Sequence, residues 1–179
     1  GADSTQNKLV DCGSWGHFSK SALAIYGSTD NLVKDTSLVN YIPGAYAIAV
    51  HRTNVLTLLA SVSLVAVDGT GSGNQHFDDV QAHLQPESGG LTPSTAAGAA
   101  LYIHGALGVK WSGILASYSR AHLQLGGAAR NLQFTRAHIY TDSSTNRSLY
   151  GIYLEANAAI KGMIFENPHL NNVPTASGS

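Results

Sequence analysis

Short runs of alternating apolar residues return along this chain at a nearly constant distance, and few folds can accommodate such a return. The runs are "ALAIYG" (22–27), "AYAIAVH" (45–51), "SLVAVDG" (63–69), "ALYIHG" (100–105), "HLQLGG" (122–127) and "GIYLEA" (151–156). Alternation at period two is the mark of a strand with one buried face. It points Leu23/Ile25, Ile48/Val50, Val65/Val67, Leu101/Ile103, Leu123/Leu125 and Ile152/Leu154 inward.

A second set of starts keeps step with the first. It runs Lys8 ("KLVDC"), Asn31 ("NLVKD"), Asn54 ("NVLTL"), Asn74 ("NQHFDD"), Gly108 ("GVKWS"), Asn131 ("NLQFT") and Ala159 ("AIKGMIF"). The spacings are 23, 23, 20, 34, 23 and 28 residues. Polar inserts rich in Gly, Pro and Ser, at 86–98 and 142–147, account for the two long steps. A weaker third set ("SLVNYI", "SVSLV", "VQAHLQ", "ILASYS", "RAHIYT", "NPHLNN") lies between the other two. The pattern predicts an all-β solenoid of about seven rungs with three short strands each. Helices are disfavoured by the period-two alternation and the interrupting Gly, and a sandwich does not require a fixed 23-residue return. Asn31, Asn54, Asn74 and Asn131 in one column would form a ladder of amide hydrogen bonds.

Composition narrows the function classes. Ten basic against eleven acidic residues leave a net charge of −1, with no basic field for nucleic acid. No apolar run is long enough to cross a membrane as a helix, so neither partner is expected. The single Cys12 cannot form an internal disulfide. The domain is expected over 8–172. It is preceded by a flexible polar segment or cloning remnant (1–7), with no sign of a signal peptide, and followed by a tail (173–179).

Rungs of 20–25 residues, an Asn column and "G-I/A-x-L" final strands resemble the right-handed parallel β-helix of the pectate-lyase-like superfamily. The low charge, the Ala/Gly/Ser-rich composition and the uneven loops most resemble the β-helix of bacteriophage tailspikes. The resemblance covers roughly 8–172 and implies a virion-tail or extracellular homotrimer. Such a protein would bind, and in some cases depolymerise, a bacterial surface polysaccharide without a cofactor. Leu56 and Leu58, read as outward-facing in a very apolar run, fit a lateral trimer contact. No capping helix is evident before the first rung, so the chain reads as a fragment or as an oligomer whose partners cover its ends. Two alternatives stand beside this reading: a non-catalytic structural spike or adhesin, and a secreted pectinase-like lyase or hydrolase.

Column arithmetic nominates the chemistry. Asp78, Asp79 and Glu155 are the catalytic candidates, because carboxylates stacked about 4.8 Å or 9.6 Å apart approach the separations that glycoside hydrolysis uses. Arg136, placed two rungs beyond the Asp pair, suits recognition of an acidic sugar, and Asp35 is placed two rungs before it. His83 and His138 in near-matching positions, His104, which shares with Glu155 the outward position just after its strand and would give an imidazole–carboxylate pair for acid/base work, and Trp111 complete the substrate-binding candidates. Trp111, Phe134 and Phe77 share one column and stack, either as a core ladder or as a sugar platform; Trp15, Phe18 and Tyr41 raise the same question. No metal site is expected, since no three or four ligands converge.

Overall fold

The computed structural model describes residues 6–16, 21–26, 28–40, 46–51, 73–84, 98–117, 120–140, 148–156 and 158–171. These form β1 (Lys8–Val10), β2 (Gly13–Gly16), β3 (Ser21–Tyr26), β4 (Leu32–Lys34), β5 (Ser37–Asn40), β6 (Tyr46–His51) and β7 (His76–Leu84). There follow β8 (Ala99–His104), β9 (Lys110–Ser117), β10 (Ala121–Gly126), β11 (Arg130–Tyr140), β12 (Tyr150–Leu154), β13 (Lys161–Glu166) and β14 (His169–Asn171). No helix occurs among the described residues.

The protein is all-β, and its strands pair in parallel within two sheets. One sheet runs β1-β4-β7-β9-β11-β13, with β2, β5 and β14 continuing the same rows; the other runs β3-β6-β8-β10-β12. The chain therefore visits the sheets alternately, adding one level to each at every return. The residues expected to face inward share columns; Leu101, Ile103, Leu123 and Leu125 are buried there, whereas Ile152 and Leu154, on the last strand of this sheet, are exposed. Leu23, Ile48, Leu101, Leu123 and Ile152 are successive partners in one row, and Ile25, Val50, Ile103, Leu125 and Leu154 in another. Val65 and Val67 lie outside the described residues. On the other sheet Val33, Phe77, Trp111, Phe134 and Phe165 form a single column. Phe77 and Trp111 are 5.2 Å apart between ring centroids, and Phe134 and Phe165 stack at 4.8 Å. Strands β8 and β10 are buried on both faces apart from partly exposed His104, which is why "AALY" and "AHLQL" carry so little charge.

Two expectations about the winding are corrected. β4 pairs directly with β7, and β6 with β8, so Leu32 and His76 are neighbours although 44 positions separate them. The expected level at Asn54, itself outside the described residues, has no place between them. The described residues form six levels in the larger sheet, opening at Lys8, Leu32, His76, Lys110, Arg130 and Lys161.

The second correction concerns the amide ladder. Asn31 aligns with Gln75 rather than with Asn74: Asn7 Nδ2 donates to Asn31 Oδ1 at 2.7 Å, and Asn31 Nδ2 donates to Gln75 Oε1 at 2.8 Å. Gln75 Nε2 in turn donates to the Ser28 carbonyl at 2.6 Å. Both Asn31 and Gln75 are buried, so the ladder pairs amides that would otherwise be costly to bury. Asn74 and Asn131 stand one position earlier, in a column of left-handed backbone.

Candidate functional site

The rows of the larger sheet bend at a recurring position, filled on every described level but the fourth. Asp11, Asp35, Asp79, Arg136 and Asn167 occupy that bend with φ of 51°, 48°, 51°, 52° and 49°. Asp and Asn tolerate left-handed backbone because their short polar side chains bond locally, which explains the composition of the column. Backbone bonds from Asp11 N–H to the Lys34 carbonyl and from Asp35 N–H to the Asp78 carbonyl hold the levels in step. Asp35 thus lies one level before Asp79, not two, because no level intervenes.

The fourth level is one residue short at this bend. Phe77 and Val80 face Trp111 and Gly113, and Phe134 and Ala137 do the same from the other side, so between Asp79 and Arg136 the fourth level offers only Ser112. The result is a notch lined by Lys34, Asp35, Asp78, Asp79, Ser112 and Arg136. Ser112 Oγ accepts from the Asp79 N–H at 2.9 Å and donates to Asp78 Oδ1 at 3.1 Å. Lys34 Nζ lies 3.6 Å from Asp78 Oδ2 and 3.9 Å from Asp35 Oδ2. These ion pairs are solvent-exposed, so each contributes less than about 1 kcal/mol. They orient the carboxylates more than they stabilise the fold.

A second depression adjoins the first through Asp35 and Asp79. Asp11, Gly13, Trp15, Ser37 and Gln81 line it. Trp15 is 68% exposed, the most open large apolar side chain described, and its ring lies beside Gly13. The two depressions make a continuous shallow groove, with an indole at one end, three stacked carboxylates along it and a guanidinium at the other end.

Asp78, Asp79 and Arg136, placed near one another by the sequence spacing, line this one notch, whereas Glu155, read in the same outward position as His104, lies elsewhere. Glu155 follows β12 on the other sheet. There its Oε2 is 3.8 Å from His104 Nε2, and its Oε1 accepts from Gln124 Nε2 at 2.8 Å. The pair could exchange a proton, but the groove carboxylates belong to the opposite sheet. His138 stacks on His169 at 4.3 Å, while His83 lies two positions along, packed edge-on against Tyr140. Burial, and then the neighbouring His169, hold the His138 pKa below its ordinary value. Trp111 is 1% exposed in the core column, so it is removed as a substrate-binding residue. Phe18 and Tyr41 lie outside the described residues.

Lys34 and Ser112 were missed as groove residues. A signal for the notch existed: "KWSGIL" is one residue shorter than "HFDDVQA" between the aromatic and the following strand. Among the described residues no three His, Cys, Asp or Glu side chains converge to hold a metal ion. No protein-family model matches the chain, nor does any curated protein or solved structure.

Proposed function

We propose that this chain is a right-handed parallel β-helix whose bend-side groove binds a bacterial surface polysaccharide, in the manner of a phage tailspike. The handedness follows from the strong preference of parallel crossovers for a right-handed path. The observation that carries the function is the exposed Trp15 at the end of the Asp11–Asp35–Asp79 column. A flat indole packs against the apolar face of a sugar ring, and carboxylates beside it accept hydrogen bonds from ring hydroxyls. Repeating levels about 4.8 Å apart offer the same donors and acceptors again along an extended glycan.

Cleavage is a second reading with one observation in its favour. Asp35 and Asp79 stand on adjacent levels of their column, and the repeat of about 4.8 Å between levels is near the roughly 5–5.5 Å carboxyl separation of retaining glycosidases. Asp78, held by Lys34 and Ser112, then serves to position its neighbour rather than to attack. The protein acts as a homotrimer on a virion tail or free outside the cell. The face expected to form the trimer contact, around Leu56 and Leu58, lies outside the described residues.

The test is binding to immobilised bacterial polysaccharides, followed by intrinsic fluorescence with the glycan that binds. The chain has two Trp, and only Trp15 is open to solvent, so a bound sugar blue-shifts emission in the wild type and not in Trp15→Phe. Absence of binding across the panel, or binding of an uncharged glycan that is indifferent to Trp15→Ala, overturns the reading. Release of shorter oligosaccharides, lost in Asp79→Asn, adds cleavage. Light scattering at three times 18.7 kDa supports the trimer, and a monomer removes it.

A further inference from the structure

The strand starts carry a second groove, chemically opposite to the first. Its floor is a column of left-handed residues, Asp30, Asn74, Gly108, Asn131 and Gly162, with φ between 52° and 69°. From Asn74 onward Asn and Gly alternate. A Cβ on Gly108 would sit 2.8 Å from Asn74 Oδ1, and one on Gly162 would sit 3.2 Å from Asn131 Oδ1. Each Asn amide therefore lies over the glycine of the next level, and the missing side chains open a trough of about 540 Å³.

The trough is lined by amides and a cation: Asn74, Asn131 and Gln133, with Lys110, His76 and the half-exposed Ile164. Lys110 and His76 are direct partners across the sheet. Arg130 and Lys161, also partners, immediately precede the lining residues Asn131 and Gly162. Lys110, Arg130 and Lys161 are exposed, and none of them makes an ion pair among the described residues. The nearby carboxylates are otherwise engaged. Asp30 accepts from Asn74 Nδ2 at 3.1 Å, and Glu166 accepts from Gln133 Nε2 at 3.2 Å and Thr135 Oγ1 at 3.0 Å.

We infer that this trough is a binding site for the anionic sugar residues of an acidic polysaccharide. Three unpaired cations meet the carboxylates. The amides serve as both donors and acceptors for hydroxyls, and Ile164 with the His76 ring offers contact to a sugar face. A nucleic acid fits less well, because no exposed Trp, Tyr or Phe lines the trough for bases to stack upon. The site is separate from the Trp15 groove and does not rest on it. The Asp column of that groove repels the charge this one attracts.

Titration calorimetry at pH 7.5 and low salt tests the site with the full chain. The ligands are a linear decamer of galacturonate, a neutral glucan of equal length and a ten-nucleotide thymidine strand. Wild type binds the uronate and not the glucan in this trough. Lys110→Gln/Arg130→Gln/Lys161→Gln weakens uronate binding at least tenfold with an unchanged melting curve, whereas Arg120→Gln, which removes a cation outside both grooves, leaves it unaltered. No uronate binding, binding indifferent to the triple variant, or equal affinity for the thymidine strand overturns the inference. Loss of uronate binding in Trp15→Ala but not in the triple variant also overturns it, and assigns acidic glycans to the other groove.

Discussion

His104 and Glu155 stand two levels apart in one column, yet their side chains approach to 3.8 Å because the residue between them is Gly126. Unaided, that separation is about 9.6 Å. A Cβ on Gly126 would fall 2.6 Å from Glu155 Cδ and 2.7 Å from His104 Cδ2, so the glycine is the space through which the carboxylate reaches.

Gly126→Ala is expected to break this contact and to destabilise the fold by about 1–3 kcal/mol, the usual cost of overpacking. Glu155 can swing aside, so the double variant Gly126→Ala/Glu155→Ala should recover part of the loss. Urea unfolding of both variants checks the coupling. Equal losses in the two would mean that the backbone, not Glu155, opposes the methyl group.

His122 sets an acid limit on stability. It is fully buried, and desolvation pushes its pKa down from 6.5 to about 4, opposed in part by the Leu115 backbone. The unfolded chain takes up the proton below pH 6.5 while the folded chain does not. Stability is therefore full above pH 6.5 and falls as pH drops from 6.5 towards 4, by about 3 kcal/mol. His122→Leu should flatten that slope without loss at pH 7, measured by urea melts at pH 7 and pH 4.5.

The amide ladder predicts a loss larger than one hydrogen bond. Asn31→Ala leaves Asn7 Nδ2 and the buried Gln75 Oε1 without their partners, a cost of about 1–3 kcal/mol. Asn131→Ala, on the exposed turn column, should cost clearly less. Comparable losses would show that the ladder does not stabilise the stack.

The two tryptophans should behave oppositely. Trp111→Ala empties the centre of the aromatic column beside Phe77 and is expected to cost about 3–5 kcal/mol. Trp15→Ala should change thermal stability by less than about 0.5 kcal/mol. Acrylamide quenching adds a direct check: Trp15→Phe should remove most of the quenchable emission.

Which residues share a column was written in the sequence, and Leu101, Ile103, Leu123 and Leu125 are buried as the alternation predicts, though Ile152 and Leu154 on the terminal strand are exposed. Alternation at period two is a local property, so Leu23, Ile48, Leu101, Leu123 and Ile152 identified their own column. Phe77, Trp111 and Phe134 did likewise. The proximity of Asp78 and Asp79 to Arg136 followed from the same spacing. Which levels touch was decided only in the tertiary structure. A spacing of 23 residues predicted a level at Asn54, but strand pairing is non-local, and β4 meets β7 across 44 positions. A one-residue offset moves a side chain to the other face, which put Asn31 against Gln75 instead of Asn74. His104 and Glu155 were legible as occupants of the same position after their strands, but their 3.8 Å approach across two levels was not. Their distance depends on what stands between levels, and a missing side chain at Gly126 carries no periodic signal in the chain.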